Sequence, residues 1–227
     1  MRFYALFNRP LVVLFSAALA VVFVLPACAQ KTPAPLPDAP STTLVNGRPY
    51  RKPTAKEDLR AYRGDLFGAR PLIHAAVRSG IEQIRTVPVG WGQDFPGYMQ
   101  RYGSAYGEAA IDNSVRYGLG SLLHEDVRYL VCHDCTFGDK LANAALYEVT
   151  ARHGADGHRT FSMTPIVASF SGPEVAYAAW YPPGYTPEMA AKHAFLGIGT
   201  RVLFNLLREY TRDRDTPMEK AAKAANQ

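Results

Sequence analysis

Apolar positions recur along this chain with a helical period, and nowhere with the sustained alternation of a strand. Between Gly103 and Tyr129, the residues Ala110, Ile111, Ser114, Val115, Gly118, Leu119, Leu122 and Leu123 follow one another at intervals of three and four, which marks one buried helix face. On that reading Glu108, Asp112, Asn113 and Arg116 fall largely off the face, and Asp112 and Arg116 are spaced for an i,i+4 pair. A second helix is predicted over 71–86. Pro71 suits its first turn, Leu72, Ala75, Ala76, Ser79, Gly80 and Gln83 share its strip, and Pro88 ends it. Trp91 and Phe95, in the turn that follows, read as packing anchors. A third helix runs from Gly138 to Arg152 and is stopped by Gly154. Thr164-Pro165 and Thr186-Pro187-Glu188 read as cap-plus-proline starts of helices near 165–180 and 187–211, the first bent or split at Pro173. Residues 154–162 leave room for a turn or a small hairpin. The fold expected is all-α: a compact bundle of about five Gly/Ala-rich helices.

The flanks have a different texture. From Leu11 to Leu25 no residue is charged, and Arg2 and Arg9 precede that run. The run is shorter than the roughly 20 apolar residues of a spanning helix. Basic start, short apolar middle and small-residue end make residues 1–29 a secretory signal. Ala27-Cys28-Ala29 fits ordinary cleavage, which would release the protein. Leu25-Pro26-Ala27-Cys28 also fits lipidation of Cys28, which would tether it to a membrane. The expected location is the periplasm or cell envelope. Residues 30–56 hold six prolines and read as an extended linker, the domain proper covers 57–212, and 213–227 is a charged tail.

Charge narrows the partners. The net charge of +5 includes Arg2 and Arg9 of the leader, and what remains is too mild for a nucleic-acid face. It permits attraction to an anionic membrane surface, so a membrane or a cell-wall component is the expected partner. Glycines such as Gly103, Gly107, Gly118, Gly197 and Gly199 inside helices point to close backbone approach. Asp112, Arg116, His124 and Glu125 in one helix favour a water-soluble bundle over a membrane-embedded one.

Three clusters could carry chemistry. His124, Glu125 and Asp126, followed by Arg128, offer acid-base groups or metal ligands. They do not form H-E-x-x-H, because Arg128 stands where the second His belongs. Cys132 and Cys135 enclose His133 and Asp134. With Cys28 removed or acylated, a local disulfide is the first expectation in an oxidising compartment. A zinc site joining Cys132 and Cys135 with His153 and His158, or a redox centre, are the alternatives. Tyr177, Trp180, Tyr181 and Tyr185 form a dense aromatic patch that either covers the core or binds glycan or headgroups. There is no Gly-rich phosphate loop, nucleophile elbow or haem-attachment motif, and no cofactor is expected.

The chain also resembles a family of uncharacterised secreted proteins of acidobacteria. The resemblance rests on Leu36 to Ser41 (LPDAPS), Gly118 to Tyr129 (GLGSLLHEDVRY), Ala178 to Pro183 (AAWYPP) and Gly197 to Tyr210 (GIGTRVLFNLLREY). It implies export but no activity, and the CHDC segment departs from its pattern. The expected function is a non-enzymatic binding or structural domain of the envelope. A hydrolase centred on His124, Glu125 and Asp126, and a thiol-disulfide protein using Cys132 and Cys135, are the alternatives.

Overall fold

The computed structural model describes residues 43–133 and 135–212. The leader with Cys28, the Pro-rich stretch before Thr43, Asp134 and the tail 213–227 lie outside the described residues.

The domain opens on a hairpin, β1 (Leu44–Val45) and β2 (Arg48–Pro49), paired antiparallel. Its turn is Asn46-Gly47, both at positive φ, the backbone that an Asn-Gly hairpin turn adopts. These residues were expected to be linker, and for 43–56 that expectation is corrected. The reason is Tyr50. Its ring is buried against Gly157, where a Cβ would come within 2.5 Å of it, and its hydroxyl donates to Asp126 Oδ2 at 3.1 Å.

Helix α1 (Ala55–Phe67) starts on a capping box between Thr54 and Glu57. Gly68 separates it from α2 (Ala69–Ile84). Helix α3 (Phe95–Leu123) is capped by Asp94 and ends where His124 turns left-handed at φ 59°. Helix α4 (Phe137–Leu146) has a second capping box, Thr136 with Asp139. It stops short of the expected Arg152, because residues 150–153 leave the helix to form β3. The hairpin of β3 (Thr150–His153) and β4 (His158–Phe161) turns through Gly154 and Gly157 at positive φ. Helix α5 (Met163–Ala179) runs continuously through Pro173, which does not split it. Helix α6 (Pro187–Arg212) closes the described domain. Among the described residues six helices and two small hairpins make the fold predominantly all-α.

Helix α5 is central, packed between α3 and α6, while α2 lies on α3 and α4 on α6. The tightest approach is at Gly172. A Cβ there would meet the Glu108 carbonyl oxygen at 2.5 Å and its Cα at 3.1 Å. Backbone faces backbone, so no side chain can give way. Gly172→Ala is expected to lower the unfolding free energy by about 1–3 kcal/mol, read as a shifted denaturation midpoint. An unchanged midpoint would refute that close approach.

Candidate functional site

The interior of this bundle is charged and small, and its exterior is greasy. Among the described residues no Leu, Ile, Met or Phe is buried, and Val127 is the one buried Val. The largest fully buried side chains are Arg101, Arg116, Glu82, Glu108 and Glu209. Helix α3 turns Arg101, Ser104, Ala105, Glu108, Asp112 and Arg116 inward. The face expected to be buried is therefore corrected: Leu122 and Leu123 are exposed, and the charged positions take the interior. Phe95 is likewise exposed, whereas Trp91 packs on Tyr181 with ring centroids 5.2 Å apart.

Buried charges persist only when paired and hydrogen-bonded, and here they form three linked groups. The first joins α2, α3 and α6. Arg78 Nε donates to Glu82 Oε1 at 2.8 Å, and its Nη2 donates to Glu108 Oε2. Glu108 Oε1 accepts from Ser104 at 2.9 Å and from the Tyr181 hydroxyl at 2.6 Å. His193 Nε2 lies 2.5 Å from Glu82 Oε1, and its Nδ1 lies 2.9 Å from the Tyr185 hydroxyl. A carboxylate only accepts, so Nε2–H points to Glu82. Trp180 Nε1 donates to Ser104 at 2.8 Å. The aromatic patch thus closes over the core.

The second group holds α3, α5 and α6 together. Arg201 reaches Asp112, Glu148 (3.1 Å) and Ser169 (2.6 Å). Arg116 lies 3.4 Å from Glu148 and 3.9 Å from Asp112. In the third, Glu209 on α6 accepts from the backbone N–H of Cys132 and from Asn143, both at 2.7 Å, and from the Tyr129 hydroxyl. This fixes the segment before α4 onto α6.

Proton affinities follow from these contacts. Burial raises the Glu108 carboxyl, but Arg78, His193 and the donors Tyr181 and Ser104 outweigh it and hold it below the usual range. Burial, reinforced by Glu108 and Glu82, pushes the Tyr181 and Tyr185 hydroxyls up. Both stay protonated, the opposite of an activated nucleophile. At the edge of this core, His74 is lowered to about 4 by burial and then by Arg78 and Arg201, against the weaker pull of Asp112. It packs on Phe204 at 4.9 Å and contacts Thr200 at 3.2 Å. Its unfolded value is 6.5, so between the two the unfolded chain binds a proton that the folded chain refuses. Stability is therefore expected to fall by about 3 kcal/mol as pH drops through that window. Chemical denaturation across the window should show this slope and His74→Phe should remove it; an equal slope in both would contradict it.

The residues singled out in the sequence do not converge. His124 caps α3, exposed, with Nδ1 3.3 Å from the Ser121 carbonyl. Glu125 accepts from the Ser162 hydroxyl at 2.9 Å and lies 3.5 Å from His153 Nε2. Asp126 is buried and accepts from Arg128 at 2.8 Å and from Tyr50. Three neighbours in sequence thus serve three different contacts. Cys132 and Cys135 are joined in a disulfide, so neither offers a thiolate. His153 and His158 stand opposite one another across β3 and β4. Among the described residues no group of three His, Cys, Asp or Glu is placed to hold a metal. Sequence reading missed Arg78, Glu82, Glu148, His193, Arg201 and Glu209. Only the step from Arg101 to Glu108, Asp112 and Arg116 carried a visible helical period.

Around this core lies an apolar shell. On α6 the inward face is Ala190, His193, Ala194, Thr200, Asn205 and Glu209, while Phe195, Leu203 and Leu207 point outward. On α4 Lys140 and Asn143 are buried, while Phe137, Leu141 and Leu146 are exposed. On α2 Ile73 and Ile84 are exposed, Ile84 to 87%. Among the described residues no helix is long and apolar enough to cross a membrane. No family model, curated protein or solved structure matches the chain.

Proposed function

We propose that the protein is an exported, non-enzymatic envelope protein that works at a membrane surface, with its apolar exterior in contact with acyl chains. The observation that carries this reading is the reversed amphipathicity of α2, α3, α4 and α6. In water each exposed large aliphatic side chain forgoes roughly 1.5–3 kcal/mol of burial, and contiguous apolar patches mark a membrane or protein contact. A lipid phase removes that cost and strengthens the ion pairs inside, which face less competing water. Residues 1–29 supply the expected route out of the cytoplasm, and lipidation of Cys28 would add a tether. The non-enzymatic part is supported by the core itself: its acids and bases neutralise one another, and its Tyr hydroxyls are held protonated.

Density-gradient flotation of the full mature protein with phosphatidylcholine vesicles tests the reading. The expected result is recovery with the vesicles, resistant to high salt. Monodisperse, monomeric protein that stays in buffer at the bottom of the gradient would overturn it. A soluble oligomer that protects Leu203 and Leu207 and never floats would also overturn it, by assigning the shell to a second copy.

A further inference from the structure

Helices α2, α3, α5 and α6 contribute most of the wall of a cavity of about 100 Å³. Its lining includes Arg70, whose side chain is partly exposed, so the cavity has a way in. The buried arginines on the wall are already engaged: Arg78 by Glu82 and Glu108, and Arg201 by Asp112, Glu148 and Ser169. Three other groups on the same wall have no hydrogen-bond partner among the described residues. Asn205 is 9% exposed, and its side-chain amide makes no hydrogen bond. Asp112 Oδ1 is buried without a donor, the nearest guanidinium nitrogen, Arg116 Nε, standing 3.9 Å away. The third group is on His74. Thr200 directs its only hydroxyl proton to the Gly197 carbonyl at 2.9 Å, so toward His74 Nε2, 3.2 Å away, it can only accept. The imidazole is neutral at neutral pH, held to about 4. Nε2 therefore carries the ring proton, and Nδ1 is a bare acceptor.

Buried polar groups left unpaired are costly, and each calls for a partner. A partner for this set must donate to Asp112 Oδ1 and His74 Nδ1 and exchange a hydrogen bond with the Asn205 amide. An ammonium would meet the field of Arg78 and Arg201 that already keeps His74 from taking a proton. A carboxylate or phosphate would meet the bare oxygen of Asp112. A hydroxyl has neither conflict, since it donates once and keeps lone pairs to accept from Asn205. Phe204, on the wall and 4.9 Å from the His74 ring, gives the carbon chain of such a ligand an apolar surface. A cavity of roughly 150 Å³ holds one benzene, so this one suits about four to six non-hydrogen atoms. We infer that the cavity is a binding site for a small neutral polyol, a vicinal diol or triol, held by Asn205, Asp112 and His74. The site does not depend on the apolar shell, because these groups face inward.

The test uses the full mature protein in detergent micelles, with glycerol as the probe and ethylammonium and acetate as charged comparisons. Saturation-transfer NMR reads contact, and shifts of the Asn205 side-chain amide and of His74 Nδ1 give Kd. Asn205→Leu keeps the volume and removes the amide, so it should unfold no earlier than wild type. Glycerol binding to it, followed on His74, should weaken about tenfold or more. His74→Phe keeps the ring packing and removes Nδ1, and should weaken binding followed on Asn205 to a similar degree. If Asn205→Leu fails to fold, His74→Phe decides. No glycerol contact in the wild type overturns the inference, by leaving the cavity to water. So does glycerol binding that the folded variants leave unchanged, or tighter binding of ethylammonium or acetate. Failure of the membrane reading is distinguishable, because it concerns flotation with phosphatidylcholine, which neither variant should alter.

Discussion

Glu108→Ala is expected to destabilise the protein by about 3–5 kcal/mol, because it leaves the buried Arg78 guanidinium with half its compensation. Glu108 is 1% exposed and accepts from Arg78, Tyr181 and Ser104. Removing it therefore strands a cation and two hydroxyl donors at once, between α2, α3 and the Tyr181 corner. Glu108→Gln keeps the shape and an acceptor oxygen but loses the charge, so its cost should fall between wild type and Glu108→Ala. Denaturant unfolding of the three proteins in one membrane mimetic measures the order. A loss for Glu108→Ala below about 1 kcal/mol, typical of surface changes, would mean that the pair is solvated and the core is not closed.

Arg101→Met should be nearly as damaging, by a different route. Arg101 is fully buried and donates to the carbonyls of Val87, Pro88, Trp91 and Gly92, and to Gln83 Oε1. One guanidinium thus organises the connection between α2 and α3. Methionine fills much of the volume but satisfies none of these acceptors, and each buried unsatisfied group costs about 1–3 kcal/mol. Because the connection can open locally to water, a global loss of about 3 kcal/mol is expected. New protease cleavage within 86–94 should accompany it. Unchanged proteolysis with a small stability loss would show that the turn holds itself together.

Five of the six described helices were legible in the sequence to within several residues at their ends; α1 was not, and neither was the side of each that faces in. Pro71 and Thr186-Pro187-Glu188 located starts within a few residues, since caps act locally, whereas Gly154 turns a hairpin and the helix before it stops at Leu146. The hairpin at Asn46-Gly47 carried an equally local signal, but the prolines around it read as a linker, and Tyr50's anchorage on Gly157 comes from distant chain. Choosing the buried face assumed water outside, and the assumption put Leu122 and Leu123 in and Glu108 and Arg116 out. The structure reverses this, and the pattern Arg101, Ser104, Ala105, Glu108, Asp112, Arg116, Gly120 fits the same helical period equally well. Periodicity finds a face but does not say what lies beyond it. The core groups themselves had no local signature. His193 meets Glu82 across 111 positions of chain, and Arg201 meets Asp112 across 89. The cluster His124, Glu125 and Asp126 misled for the converse reason. The helix ends at His124, the backbone becomes extended, and adjacent side chains then point apart.

The central claim, that the outward faces of α2, α4 and α6 meet lipid, is most directly tested by spin labels on cysteines placed at Leu203 and Leu207. Lys192, an exposed position on the same helix, serves as the reference. On vesicle-bound protein, oxygen should relax the labels at 203 and 207 more than a water-soluble nickel chelate does, with the order reversed at 192. Equal access of the nickel chelate to all three positions would contradict the account.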